Sequence, residues 1–86
     1  MKRDKLKILG CILELCEGNG TNKTKIVYGV NMSFPVADRY IDLLIKENLV
    51  EVIAPGPREK YIATVKGKEM IRTINEIYVC IDKYPL

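Results

Sequence analysis

Between Asp4 and Cys16 the apolar positions Leu6, Ile8, Leu9, Cys11, Ile12, Leu13, Leu15 and Cys16 leave little room for polar ones; Lys7, Gly10, Glu14 and Glu17 share the remaining side. Spacings of three and four predict a helix, with Asp4 as its cap. Its apolar arc covers more than half the circumference, whereas a helix packed on one face needs an arc of only about 100° or a little more. The pattern therefore predicts a first helix sandwiched between its own core and a second surface. Gly18, Asn19 and Gly20 end it. A shorter helix follows in TNKTKIVYGV, opened by Thr21 or Asn22, contributing Ile26, Val27 and Val30, and loosened at its end by Gly29 and Asn31. A third runs over residues 33–48, SFPVADRYIDLLIKEN. Ser33 suits its N-cap, and Pro35 falls in the first turn, where a missing N–H is harmless. Phe34, Ala37, Tyr40, Ile41 and Leu44 recur on one side as core positions. Pro35, Asp38, Arg39, Asp42 and Lys46 occupy the other, with Val36 and Leu43 at its edge.

After Asn48 the period changes. Leu49, Val50, Val52 and Ile53 form a short β-branched run, Ala54-Pro55-Gly56-Pro57 a turn, and Tyr61, Ile62, Ala63 and Thr64 a second strand. The result is a hairpin whose loop carries Arg58 and Lys60. Thr64 then caps a last helix that runs to about Tyr84 and is stopped by Pro85. Met70, Ile74, Ile77, Ile81 and Tyr84 repeat at alternating spacings of four and three, as in a coiled-coil seam. Ile71 and Tyr78 widen it on one flank and Cys80 on the other, giving more apolar surface than docking on one small domain requires. Two short helices joined tightly, the second with a polar outer face, form a helix-turn-helix pattern. Three helices followed by a hairpin are the order of a winged helix. The predicted fold class is mainly α with a β-hairpin: a winged helix-turn-helix plus a long C-terminal helix. Residues 1–64 are the winged-helix domain; residues 65–86 are a dimerisation helix in the same folding unit.

Composition narrows the function. A chain of 86 residues makes one small domain with a marginal core, which oligomer contacts would support. Hydrophobic residues at 48% and charged ones at 29% fit a folded chain and argue against disorder. No apolar run is long enough to span a bilayer, and the basic MKRDKLKI is not followed by a signal-peptide pattern, so the expected compartment is the cytoplasm. Cys11, Cys16 and Cys80 are an odd count without a framework, expected as small buried hydrophobes; a disulfide across a dimer at Cys80 is the lesser alternative. With no histidine and no paired-cysteine motif, no metal is expected. No nucleophile–base set and no phosphate-cradling glycine loop can be named, so no enzyme is expected; no catalytic residue, cofactor or small-molecule effector is read.

Charge adds a direction. The net charge is +3, and the excess falls in three segments. Lys2, Arg3, Lys5 and Lys7 oppose only Asp4; Lys23 and Lys25 stand without an acid; Arg58, Lys60, Lys66 and Lys68 oppose only Glu59. Three basic segments around a helix-turn-helix make a phosphate footprint.

The chain resembles the small archaeal winged-helix proteins, which include single-domain transcriptional regulators and dimeric DNA-binding proteins with a C-terminal coiled-coil helix. The likeness is carried by Lys5-Leu6, Ile8 and Ile12-Leu13, then Thr24-Lys25-Ile26-Val27-Tyr28, Asn31-Met32-Ser33-Phe34, Tyr40-Ile41 and Leu44, Leu49-Val50-Glu51, and Tyr61 with Thr64, Lys66 and Gly67. It covers nearly the whole chain up to Gly67 and the final helix more loosely. It implies duplex DNA as ligand and a homodimer built on the last helix through Met70, Ile74, Ile77, Cys80, Ile81 and Tyr84.

One feature departs from that family. Proteins of this kind often carry lysines on the outer face of the third helix, but residues 33–48 set Arg39 and Lys46 against Asp38, Asp42 and Glu47. Carboxylates near phosphates weaken binding, yet they can accept from a cytosine amino group and add selectivity. The base-contact candidates are Arg39, Val36, Pro35, Asp38 and Asp42, with Arg39 foremost because it can bind guanine in a bidentate way. The phosphate-contact candidates are Lys23, Thr24, Lys25, Ser33, Lys46, Arg58 and Lys60. A winged helix that binds another protein, without strong DNA binding, is the alternative.

Overall fold

Asp4 accepts from the Leu6 N–H at 2.9 Å and opens α1, Lys5–Leu15. Asn22 accepts from the Lys25 N–H at 2.9 Å and opens α2, Lys23–Val30. Ser33 accepts from the Val36 N–H and opens α3, Phe34–Lys46, with Pro35 in the first turn as expected. Strands β1, Val50–Ile53, and β2, Lys60–Ala63, pair antiparallel with Val50 opposite Ala63. Thr64 caps α4, Val65–Asp82. This computed structural model describes residues 4–54 and 56–85. Lys2 and Arg3 of the first basic segment and Pro55 of the wing lie outside the described residues.

Asn22, not Thr21, takes the cap of α2. Thr21 instead exchanges two backbone hydrogen bonds with Tyr61, at 2.9 and 2.7 Å, which ties the α1–α2 loop to the wing. The core runs through every element: Ile12 and Leu13 of α1, Ile26 of α2, Ile41 and Leu44 of α3, Val50 of β1, Tyr61 of β2 and Ile71 of α4.

The first turn of α4 is clamped onto the end of α3. The Thr64 hydroxyl donates to the Asn48 carbonyl at 2.7 Å, and the Thr64 N–H donates to the Leu49 carbonyl at 3.0 Å. The Lys66 ammonium donates to the Glu47 carbonyl at 2.9 Å. That cation satisfies a carbonyl at the negative end of the α3 dipole. Gly67 is what lets the backbones meet, because a Cβ there would lie 2.0 Å from the Leu49 carbonyl oxygen.

The second surface expected for α1 is α4. Gly10, which looked like part of a polar side, is buried against Ile74. The Tyr78 hydroxyl donates to the Asp4 carboxylate, and the Lys7 ammonium lies 6.0 Å from the centre of the Tyr78 ring. That hydrogen bond holds Asp4 below the usual carboxylate range and pushes the Tyr78 phenol up to about 12. Leu15 packs toward Gly29 of α2. Ile74 is therefore only 4% exposed and is covered within its own chain, so it does not lie on the open seam of α4 where the spacing placed it.

The cysteines also need correction. Cys16 is buried, and desolvation raises its thiol to about 11, but Cys11 and Cys80 are exposed. At about 100° per residue, the rotation that buries Ile12 and Leu13 turns Cys11 outward. Cys80 likewise lies on the far side of α4 from Gly67, Ile71 and Ile74.

Candidate nucleic-acid interface

The buried stripe of α3 decides what its other face offers. Ala37, Ile41 and Leu44 point inward, so the ridge opposite them is Pro35, Arg39, Asp42 and Lys46, all exposed. Among the described residues the side chains of Arg39 and Asp42 form no hydrogen bond or ion pair. The short turn from Asn31 to Ser33 fixes this ridge relative to α2. Asn31 adopts the left-handed conformation at φ 56°, which asparagine tolerates, and the Met32 N–H returns to the Val27 carbonyl at 3.1 Å.

One edge of α3 faces the start of α1. There Val36, Tyr40 and Leu43 line a shallow hollow of about 310 Å³ with Lys5 and Arg39 beside them. The other edge faces the wing. A cleft of about 570 Å³ separates them, lined by Lys23 and Thr24 of α2, Phe34 of α3, and Arg58, Glu59, Lys60 and Tyr61 of the wing. Phe34 was expected in the core and is 46% exposed. It shares an azimuth with Ile41 but sits two turns nearer the helix start, so it overhangs this cleft.

The wing presents two cations and, on the same cleft, one acid held by a hydrogen bond. Arg58 and Lys60 are exposed, while Glu59 turns back to accept from the Tyr61 hydroxyl at 2.5 Å. Burial, reinforced by that carboxylate, pushes the Tyr61 phenol well above its ordinary range. Ala54 and Gly56 both take positive φ, 53° and 104°, and give the loop its reversal.

Asp38 is not free. Its Oδ1 lies 2.6 Å from the Lys23 ammonium, an ion pair joining the first residue of α2 to the second turn of α3. The bond to Asp38 raises Lys23 above its usual range. The candidate residues thus divide. Thr24, Lys25, Ser33, Lys46, Arg58 and Lys60 are available to solvent around the α3 ridge, whereas Lys23 already has a partner. Sequence spacing shows neither the Lys23–Asp38 pair nor the exposure of Phe34, since both depend on how α2 and the wing pack on α3. A tight turn after a basic α2 start was the available hint for the pair.

A three-helix core with a two-stranded wing beside an open third helix is a winged helix-turn-helix. Residues 2–81 match the winged helix-turn-helix family, and the chain belongs to it. It is 25% identical over 84 residues to an uncharacterized protein of Methanocaldococcus jannaschii, covering 98% of this chain and 82% of that one. Its fold is similar to that of Sso10a-2, a DNA-binding protein from Sulfolobus solfataricus, with a TM-score of 0.82 and 27% identity over 94% of this chain and 84% of that one. It also resembles MepR, a transcription regulator of the Staphylococcus aureus multidrug efflux pump MepA, with a TM-score of 0.75 and 14% identity over 91% of this chain and 58% of that one. At that identity the second likeness is one of fold. No helix among the described residues is long and apolar enough to cross a membrane.

Proposed function

We propose that the chain binds duplex DNA as a homodimeric transcriptional regulator, with α3 in the major groove and the 54–60 wing on the flanking backbone. The cleft between α3 and the wing carries the reading. It sets the start of α3, at Phe34, beside Arg58 and Lys60, while the Glu59 carboxylate on the same cleft is held by the Tyr61 hydroxyl. A major groove about 12 Å wide admits a helix, and Arg39, near the middle of the exposed ridge, is the residue for a guanine edge. Pro35 and Val36 reach a thymine methyl, and Asp42 a cytosine amino group. Thr24, Lys25, Ser33, Lys46, Arg58 and Lys60 hold phosphates, which positions the protein without reading sequence. The likeness to Sso10a-2, a DNA-binding protein, supports this. Binding to duplex DNA across a salt series tests it. The logarithm of affinity should fall with the logarithm of salt by about 0.9 per phosphate contact. Absent binding at low salt, or a flat salt response, would favour a protein partner instead.

The dimer rests on α4. Met70, Ile77, Ile81 and Tyr84 lie along one open flank of that helix, with Ile77 41% and Tyr84 63% exposed. Contiguous apolar surface of this kind is uncommon on monomers, and a twofold axis suits paired half-sites about 34 Å apart. Cys80 lies at the margin of this flank. Mass in solution at micromolar concentration checks the assembly.

A further inference from the structure

We infer that Lys23 is a positioning residue that aims Asp38 at the amino group of a cytosine in the major groove, and is not itself a phosphate contact. The inference rests on the DNA reading above and assigns the base that one α3 residue recognises. Lys23 holds Oδ1 of Asp38 at 2.6 Å, and among the described residues Oδ2 forms no hydrogen bond. A carboxylate offers about four acceptor sites on its two oxygens, so one cation leaves the outer oxygen able to accept. Both side chains stay open to solvent, 39% for Lys23 and 48% for Asp38, so a base edge can reach the pair without breaking it.

Electrostatics favours keeping the pair intact on DNA. If Lys23 swung to a phosphate, Asp38 would face the same polyanion alone, and repulsion would offset the new contact. With the pair kept, Asp38 enters the groove without a net charge and meets an exocyclic amino donor. Adenine N6 lies beside the N7 acceptor, which repels a carboxylate, whereas cytosine N4 lies beside a C–H, so cytosine is the better partner. Asp38 also belongs to the N-terminal half of α3, the part of a recognition helix that meets base edges. A lone aspartate would rotate freely about χ1 and χ2; the ammonium fixes one oxygen and so orients the other.

The test compares wild type, Lys23→Met, Asp38→Ala and the double variant on a preferred duplex selected from a random pool, and on single base-pair changes of it. Wild type should lose roughly 5- to 150-fold in affinity when one particular C·G pair is changed. Asp38→Ala and Lys23→Met should each shrink that penalty at the same pair, the double variant should go no further, and the salt slope of Lys23→Met should match wild type. A Lys23→Met slope reduced by about 0.9, with base preference intact, would make Lys23 a phosphate contact and overturn the inference. A lower melting temperature with unchanged base preference would make the pair a structural clamp and overturn it as well. Strongly salt-dependent binding without any cytosine preference sinks this inference and leaves the DNA reading standing, whereas no duplex binding by wild type sinks both.

Discussion

Gly67→Ala separates local propensity from tertiary fit. Gly67 lies in the first turn of α4, and alanine is intrinsically better in a helix by about 1 kcal/mol. Propensity alone therefore says the variant is stabilised. The structure says the reverse, because the new Cβ would sit 2.0 Å from the Leu49 carbonyl oxygen, a backbone atom that cannot rotate aside. Ordinary contact begins near ~3.5 Å, so the first turn of α4 must retreat by more than about 1 Å. That retreat stretches the Thr64 N–H bond to Leu49, now 3.0 Å, and the Thr64 hydroxyl bond to Asn48, now 2.7 Å. Losing one buried partner costs about 1–3 kcal/mol, and overpacking itself about 1–3 kcal/mol. After subtracting the propensity gain, a loss of about 1–5 kcal/mol remains, against a total stability of about 5–15 kcal/mol for a small domain. The melting temperature followed by circular dichroism should fall by about 4 °C or more. Gly10→Ala is the comparison: its Cβ would meet Ile74 Cγ2 at 3.3 Å and Cδ1 at 3.9 Å, side-chain methyls and no backbone atom. A shift of a few tenths of an ångström relieves the contact, so the change should stay within about 1 kcal/mol. A Gly67→Ala protein as stable as wild type would refute the close approach of α4 to the start of β1.

The remaining predictions concern the two surfaces and the core thiol. Arg39→Ala should narrow the gap between preferred and random duplexes by about 1–3 kcal/mol, while Arg58→Ala and Lys60→Ala weaken binding similarly on all sequences; competition titrations read both, and an unchanged gap would remove Arg39 from the groove. Ile77→Asp should give a monomer by sedimentation, because each copy would bury an unpaired carboxylate at a cost of several kcal/mol; a variant that stays fully dimeric refutes the α4 interface. Cys11 should react readily with a thiol reagent at neutral pH, and Cys16, buried with its thiol raised to about 11, only on unfolding. Mass spectrometry of the labelled native protein would show the error if Cys16 reacts first.

Much of the fold was written in periodicity, because each element buries a stripe that a period of 3.6 or 2 reveals. Asp4, Ser33 and Thr64 are capping residues in sequence and in structure, and the 33–48 pattern sorted Ala37, Ile41 and Leu44 inward correctly. The misses share a cause: spacing shows that a residue lies on a stripe but not where along the helix the partner ends. Phe34 is in register with Ile41 yet hangs over the wing cleft. Ile74 is in register with Ile77 yet lies under α1. The apolar excess of α1 was legible, but its partner was not, because Gly10 reads as a gap in the pattern and functions as the crossing point. Thr21 is the opposite case, a good cap by type that the wing takes for a β-bridge. Of the site, the ridge could be read from the sequence and the Lys23–Asp38 pair could not, since residues on two helices meet only once the turn at Asn31 sets their angle.

The low charge of α3 can now be placed physically. In the proposed complex, with Lys23 neutralising Asp38, the reading residues Arg39 and Asp42 carry no net charge together, and the free cations sit around them on α2, the end of α3 and the wing. On that reading affinity and selectivity would reside in different places, the frame supplying phosphate contacts and Arg39 and Asp42 base discrimination. Such a frame is sparse. Lys25, Lys46, Arg58 and Lys60 give one protomer a salt slope of only about 3 to 4, below what proteins with six to ten phosphate contacts show. Two protomers joined through α4 reach about 7, within that range, and their twofold axis doubles the bases read as well. A recognition helix this weakly basic is therefore coherent with a dimer and poorly suited to a monomer, which ties the open flank of α4 to the chemistry of α3 at the other side of the core.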